Sequence, residues 1–360
     1  MSKYKISVYA LCKNEEKNIL EWYNSMKEAD EIVVLDTGST DSSINILKKL
    51  PKIKLFQEKI IPWRFDVARN LSLSHVSKNT DICVCTDIDE RFEKGWRNKL
   101  EEYWEEDTTR AKYLYNWSFD KNGNPGTTFY LNKIHTRNNY KWIHPVHEVL
   151  TSNKEEKEVI IPGIILNHFQ DYTKSRSSYL PLLELAVQEK PEDDRNVHYL
   201  GREYMYHKKW DKCIETLHKH LNLLTATWSD ERAASMRYIA YSYFNKSYIE
   251  EAIYWYELAI KEAPYLREPY FDLGFLYYSI KDYSKCEYYL KKALKIKEKS
   301  YTYINEERAW NETIYDLLSI SCFNNKKYEE ALHYINKALK INSNDKRLLD
   351  NYKIIQKYNI

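Results

Sequence analysis

No apolar run in this chain approaches the ~20 residues that a membrane-crossing helix needs. The polar stretch "KNEEKN" follows the first short apolar run, so the beginning of the chain has no signal-peptide core, and a cytoplasmic protein is expected. Neither sign of charge dominates. Lys and Arg number 55 against 53 Asp and Glu, a formal +2, which gives no bulk electrostatic reason to expect nucleic acid or an anionic membrane as partner. The six cysteines (Cys12, Cys83, Cys85, Cys213, Cys286 and Cys322) form no CxxC pair and no Cys/His array with zinc spacing. Cys83 and Cys85 alternate within one strand, too close along it for an easy disulfide, so all six are expected reduced and mostly buried. Glycine is scarce, with 7 residues, whereas tyrosine is abundant, with 33. Tyrosine buries area while keeping a hydroxyl, which suits packed helices and also sugar or peptide grooves.

What is present divides into two halves. Up to about residue 170 the apolar runs are short and β-rich: "KISVYALC" (5–12), "EIVVLD" (31–36), "KIKLFQ" (52–57) and "DICVCTD" (81–87). Helical stretches lie between them, over 15–29, 41–50 and 66–77. This alternation implies right-handed βαβ units and a parallel sheet, whose ligands bind outside the carboxyl ends of the strands. Asp36 and Asp87 fall at two such ends. Further strands are expected over 112–120 and 127–137, joined by the turn "KNGNPG".

After about residue 172 the chain turns helical and repetitive. Gly201, Ala240, Gly274 and Ser319 each precede a second small position by twelve residues, at Cys213, Ala252, Cys286 and Ala331. Seven further on stand Ala259, Ala293 and Ala338, with His220 as the exception. The first small positions are spaced 39, 34 and 45 apart by residue number. Small residues recurring where helices cross let the backbones approach, and the pattern looks like the tetratricopeptide repeat, whose period is ~34. Three and a half to four and a half repeats are expected, with the long spacings as loop insertions and a half repeat around Ala186 and Pro191 leading in. Such an array either supports the first domain or offers a face for an acceptor.

Four clusters in the first half carry the chemistry. They are "YALCKNEEKNI", "VVLDTGSTDSS", "WRFDVARN" and "CTDIDERFEKGW". In the second, Gly38 permits a tight turn, and Ser39 or Thr40 caps the next helix or offers a hydroxyl to a ligand. In the fourth, Asp87, Asp89 and Glu90 crowd one turn, which in isolation reads as solvated but also suits a shared cation. In this order and spacing the four resemble the N-terminal half of a family 2 glycosyltransferase, a subset of which carries tetratricopeptide repeats after the catalytic domain. The resemblance implies an α/β GT-A domain with a Rossmann-like, mostly parallel sheet over residues 1–171, then an all-α tetratricopeptide solenoid over 172–360.

It further implies an inverting, metal-dependent transfer of a hexose or N-acetylhexosamine from a UDP-sugar. Mn²⁺ or Mg²⁺ would be the cofactor, with Asp89 as direct ligand, Asp87 near the ribose or the metal, and His168 completing the metal or diphosphate site. Asp36 would bond uracil or ribose, and Arg69 would pair with uracil or diphosphate. Ala10, Cys12, Asn14, Glu15 and Ser39 would also line the donor. Glu148, in "VHE", is the implied base, with His147 and His144 as alternatives for its role or for that of His168. The organisation is similar to bacterial S-glycosyltransferases of sublancin-type peptides and O-glycosyltransferases of flagellin-type proteins, implying a Cys or Ser/Thr acceptor on a peptide or protein that contacts the repeats. A glycan or lipid-linked acceptor, and a non-catalytic repeat scaffold, are the alternatives. A homodimer is compatible with repeats of this kind.

Overall fold

The computed structural model describes residues 3–120, 123–171 and 179–358. The chain divides into two compact units, Met1–Ala186 with Tyr301–Tyr303, and Val187–Ser300 with Ile304–Ile360. The expected boundary at 171/172 abuts residues 172–178, which lie outside the described residues, as do 121–122 of the expected turn.

The first unit is built on β1 (Ile6–Cys12), α1 (Ile19–Met26), β2 (Glu31–Asp36), α2 (Ser43–Leu47), β3 (Ile53–Gln57), α3 (Phe65–Ser74) and β4 (Ile82–Asp87). It continues with β5 (Glu90–Phe92), α4 (Trp96–Tyr103), β6 (Arg110–Asn116), β7 (Thr128–Thr136), β8 (Tyr140–Ile143), β9 (Val149–Ser152) and β10 (Glu158–His168). One sheet of eight strands runs in the order β3-β2-β1-β4-β7-β6-β10-β5, and β8 and β9 form a separate hairpin. Strands β3, β2, β1 and β4 are mutually parallel, while β7 runs antiparallel to both β4 and β6.

The apolar runs are continuous because both faces of the sheet are covered. Val8, Ala10 and Cys12 point to the face packed by Trp22 and Trp96, while Tyr9, alternating with them, packs with Leu73, Trp142 and Leu150 on the other. Tyr9 is fully buried, and its hydroxyl accepts from Trp142 Nε1 at 2.9 Å and meets His135 Nε2 at 2.9 Å. Burial pulls the His135 pKa down to about 3. The ring is therefore neutral, with Nδ1 donating to the Thr136 carbonyl at 2.7 Å and Nε2 accepting from Tyr9. All six cysteines are buried and free.

The second unit stacks helix pairs. After α5 (Tyr179–Glu189) come α6 (Asp194–Tyr206) with α7 (Trp210–Asn222) and α8 (Ser229–Asn245) with α9 (Ile249–Glu262). Then come α10 (Glu268–Ser279) with α11 (Tyr283–Lys295), α12 (Glu312–Asn324) with α13 (Tyr328–Ile341), and a closing α14 (Lys346–Gln356). The spacing of 45 is a loop over 296–311 with one short 3₁₀ turn, as expected. The spacing of 39 is not mainly a loop. Helix α8 starts about one turn earlier relative to Ala240 than its sister helices do relative to their small residues, so the insertion lengthens a helix.

Each pair turns on a residue of left-handed φ: Lys208 (56°), Ser247 (67°), Lys281 (65°) and Lys326 (61°). The next N–H bonds back to the carbonyl five residues earlier, as in Lys281's pair, where Asp282 donates to Tyr277 at 2.9 Å. Glycine occurs at none of these turns, and two glycines are used instead at the helix crossings. A Cβ on Gly201 would lie 2.3 Å from Leu217 Cδ2, and one on Gly274 would lie 2.6 Å from Leu290 Cδ2. Gly201→Ala is therefore expected to lower stability by about 1–2 kcal/mol, the overpacking outweighing the helix preference for alanine. A melting temperature unchanged or raised in thermal denaturation would show that the crossing has slack.

Candidate functional site

The carboxyl ends of β2 and β4 flank β1, since Cys12 lies opposite Asp36 and Leu11 opposite Asp87. Two strand spacings put these acids about 10 Å apart at one edge of the sheet. Asp36 is fully buried. Its Oδ1 accepts from the N–H groups of Gly38 and Ser39, both at 3.0 Å, a turn that requires the φ of 111° at Gly38. Its Oδ2 is buried with no protein partner among the described residues. A buried carboxylate oxygen without a donor is costly, so this atom suits an N–H or O–H from a bound molecule.

The first two clusters are stapled to each other. Asn14, at φ 55°, donates its N–H to Ser39 Oγ at 2.9 Å and accepts from Thr40 N–H at 2.7 Å. Glu15 N–H donates to Ser43 Oγ at 2.8 Å, and Ser42 N–H to Glu16 Oε2 at 2.9 Å. Asn14, Glu15 and Ser39 thus meet beside Asp36, but as the fasteners of the two loops. Cys12 is buried, and burial pushes its thiol up to about 12. Ala10 lies fully buried within β1, its carbonyl accepting from Ser72 Oγ at 3.3 Å, so it sits under the site as a packing residue.

Arg69 differs most from expectation. Expected to pair with uracil or diphosphate, its side chain is 5% exposed and held by protein groups through all three nitrogens. One amino group holds Asp87 Oδ1 at 2.8 Å and Oδ2 at 3.1 Å, the other reaches Cys85 Sγ at 3.3 Å, and Nε holds Glu148 Oε1 at 2.5 Å. The guanidinium also lies 5.2 Å from the Trp142 ring centre. Its neighbour Asn70 fixes the β8–β9 hairpin over α3, donating to the Trp142 carbonyl at 2.8 Å and accepting from Trp142 N–H at 2.9 Å. This is how a helix at 65–74 and a loop at 144–148 come to share one cation. His144 and His147 bend that loop through φ values of 77° and 49°. Glu148 Oε2 has no protein hydrogen bond among the described residues.

The fourth cluster makes a two-residue turn. β4 ends at Asp87, Ile88 and Asp89 form the turn, and β5 starts at Glu90, pairing antiparallel with β10 so that Glu90 lies opposite His168. That register brings His168 Nε2 to 3.4 Å from Asp89 Oδ2, while Phe169 N–H donates to the Asp89 carbonyl at 2.8 Å. His168 is orientated by the Trp117 carbonyl, 3.0 Å from Nδ1, and stacks on the Trp117 ring at 4.5 Å. Burial alone would lower its pKa, but the Asp89 and Glu90 carboxylates more than offset that and raise it.

Asp89 and His168 therefore present an oxygen and a nitrogen to one point, a donor pair that fits a divalent cation. Asp87 does not join them. Among the described residues no group of three close ligand atoms forms here, because Arg69 holds the Asp87 carboxylate. Burial would raise the Asp87 pKa, yet Arg69 and then Lys133 outweigh it and hold it well below the usual range.

Lys133 was not singled out from sequence, and Glu90 was read only as a third acid of the turn. Lys133, on β7, reaches Asp87 Oδ2 at 3.6 Å and Glu90 Oε1 at 3.8 Å. Glu90, 1% exposed, accepts from Asp87 N–H at 2.9 Å and so shapes the turn, its pKa raised by burial. The available signal for Lys133 was its place in "FYLNKIHT", a lone cation in a strand that pairs with β4. A cavity of about 310 Å³ opens near Lys5, Glu31 and Lys54, at the amino ends of β1 and β2 and thus opposite the acids.

Residues 7–161 match the family described as glycosyl transferase family 2, and residues 268–300 and 313–345 each match the tetratricopeptide repeat. The SPbeta prophage-derived glycosyltransferase SunS of Bacillus subtilis (strain 168) and glycosyltransferase SunS of Bacillus phage SPbeta are each 24% identical over 222 residues. That alignment covers 58% of this chain and 51% of theirs, so the chain spans about half the length of the curated relatives it matches. Among solved structures, MamA is 19% identical with a TM-score of 0.38, covering 49% of this chain and 96% of MamA. TTC0263, a tetratricopeptide protein of Thermus thermophilus, is 20% identical with a TM-score of 0.37, covering 50% of this chain and 90% of TTC0263. Among the described residues no helix is long and apolar enough to cross a membrane. The chain thus joins a family 2 glycosyltransferase domain, at residues 7–161, to tetratricopeptide repeats.

Proposed function

We propose that this chain transfers a hexose or N-acetylhexosamine, with inversion, from a UDP-sugar to a Ser/Thr or Cys side chain of a peptide or protein. The observation that carries the reading is the pairing of Asp89 with His168 at the same sheet edge as the unpartnered Asp36 oxygen. Asp36 Oδ2 takes a donor group of the nucleoside. Asp89 and His168 would hold a divalent cation, Mn²⁺ or Mg²⁺, with the neutral imidazole keeping its Nδ1 proton on the Trp117 carbonyl. A cation so held would supply charge to offset that developing on the departing diphosphate.

The acceptor oxygen or sulfur attacks the anomeric carbon, whose bond to the diphosphate oxygen breaks with the electron pair leaving on that oxygen. The acceptor proton goes to Glu148 Oε2, the oxygen that Arg69 leaves open. Asp87 and Arg69 act as positioning groups for the turn and for Glu148. The exposed tyrosines Tyr241, Tyr254, Tyr265 and Tyr288 on the repeats offer stacking faces for an extended peptide.

The test is release of UDP from a panel of UDP-sugars with Mn²⁺, followed by transfer to candidate peptides. Sugar-selective release supports the reading, and absence of both release and calorimetric UDP binding overturns it. Glu148→Gln keeps the hydrogen-bonding shape beside Arg69 and is expected to bind UDP normally while transfer to a hydroxyl falls about 10²–10⁴-fold. Transfer at the parental rate would move the base elsewhere.

A further inference from the structure

Three departures from the repeat pattern meet at one place in the second unit. Ala259, Ala293 and Ala338 occupy the third small position of three helix pairs, and His220 replaces it in the first. The extra turn at the start of α8, which no sister helix has, carries Glu231. His198, one turn before Gly201 on α6, stands where the sister helices carry Arg237, Phe271 and Asp316. His198 and His220 are fully buried and Glu231 is 5% exposed. One donor atom from each lies within 4.8 Å of the other two.

One of the three separations already matches that of ligands on one ion. His220 Nε2 and Glu231 Oε1 are 3.3 Å apart, and neighbouring ligands about 2.0–2.1 Å from a tetrahedral zinc ion are themselves separated by about 3.3–3.4 Å. The Ser235 hydroxyl lies 2.8 Å from His198 Nδ1 and 3.0 Å from His220 Nδ1. Its oxygen can accept from both Nδ1–H groups at once, which leaves the Nε2 lone pair of each ring to a cation. Metal-bound imidazoles are held in this way, the second N–H donated to a nearby oxygen. Two imidazoles and a carboxylate make a donor set suited to zinc, and a dication offsets the cost of burying the carboxylate.

We propose that His198, His220 and Glu231 form a zinc site, oriented by Ser235, that ties the α6–α7 pair to α8. The site is independent of the sugar-transfer reading and lies in the other unit. It explains why the first repeat gives up its small residue and why α8 is a turn longer, since a histidine and a carboxylate are needed at those two positions.

The test strips the chain of residues 1–360, Asp89→Ala and His220→Ala with a chelator, reloads each with Zn²⁺, desalts them, and measures metal content and melting temperature. Asp89→Ala discounts zinc taken up by the first unit. Wild type and Asp89→Ala are expected to retain one equivalent that His220→Ala lacks. Zinc is expected to raise their melting temperatures by about 5–10 °C and to leave that of His220→Ala unchanged. His220→Ala installs the residue that three sister repeats carry, so it should fold. If it does not, Glu231→Gln, of matching shape, is read in its place. Co²⁺ substitution is expected to give visible absorption that Asp89→Ala keeps and His220→Ala loses. Equal zinc content in wild type and His220→Ala, or a wild-type melt that zinc does not move, overturns the proposal.

Discussion

Asp89→Ala is expected to reduce metal-dependent UDP-sugar turnover by about a thousandfold while leaving the melting temperature within a few degrees of the parent. The two halves of that expectation come from different features of one residue. On the chemical side, Asp89 Oδ2 and His168 Nε2 are 3.4 Å apart on a strand end and its antiparallel partner, and removal of the only carboxylate in that pair leaves a single imidazole to hold the cation. Loss of transition-state charge stabilisation of this type costs about 10²–10³ in rate. On the structural side, the Asp89 side chain is 19% exposed, and its backbone carbonyl, which the substitution keeps, accepts from Phe169 N–H at 2.8 Å. The lost His168 contact is a partly exposed ion pair worth up to about 1 kcal/mol. UDP release measured at several Mn²⁺ concentrations, beside a thermal melt, separates the two. Parental turnover in a folded variant would remove Asp89 from the cation site, and a collapse of the melt would make it a structural residue.

The architecture was legible where periodicity carried it. Buried strands in "KISVYALC" and "EIVVLD" appear as β1 and β2, and the small-residue pattern after residue 172 appears as helix pairs that cross at Gly201 and Gly274. The strand-end rule placed Asp36 and Asp87 at one sheet edge. Pairings of distant segments were not legible. The two-residue turn into β5 that sets His168 beside Asp89 depends on the β5–β10 register, and "ERF" is too short to announce a strand. The turns within the helix pairs were hidden because lysine and serine take the left-handed conformation that glycine usually marks. Motif logic alone expects Arg69 to face a ligand. What turns it inward is tertiary: Glu148 arrives from a hairpin 79 residues away in sequence, and Cys85 and Asp87 from β4.

Arg69 is accordingly the residue whose loss should damage both the fold and the chemistry. Arg69→Met keeps an apolar stem but removes a cation that lies near the Trp142 ring and between two carboxylates. Breaking a buried pair by deleting one partner costs about 3–5 kcal/mol, because the remaining charge is left unpaired in a medium that solvates it poorly. Asp87 is 36% exposed and Glu148 is 10% exposed, so water can take up part of the first charge but little of the second. The lower end of the range, about 3 kcal/mol, is therefore expected, measured by urea denaturation at neutral pH. The effect should depend on acid in a definite direction. The Asp87 pKa is depressed in the folded parent, so that contribution to stability is present above the ordinary carboxylate pKa of about 3.9 and fades as pH falls through and below it. Without Arg69 the depression is lost, and the gap between parent and variant should narrow as the pH is lowered below about 4. Arg69→Lys supplies the charge but cannot reach Asp87, Cys85 and Glu148 together, so it should recover part of the stability and little of the turnover. If Arg69→Met is as stable as the parent and retains transfer, the guanidinium is neither the clamp of this site nor the group that positions Glu148.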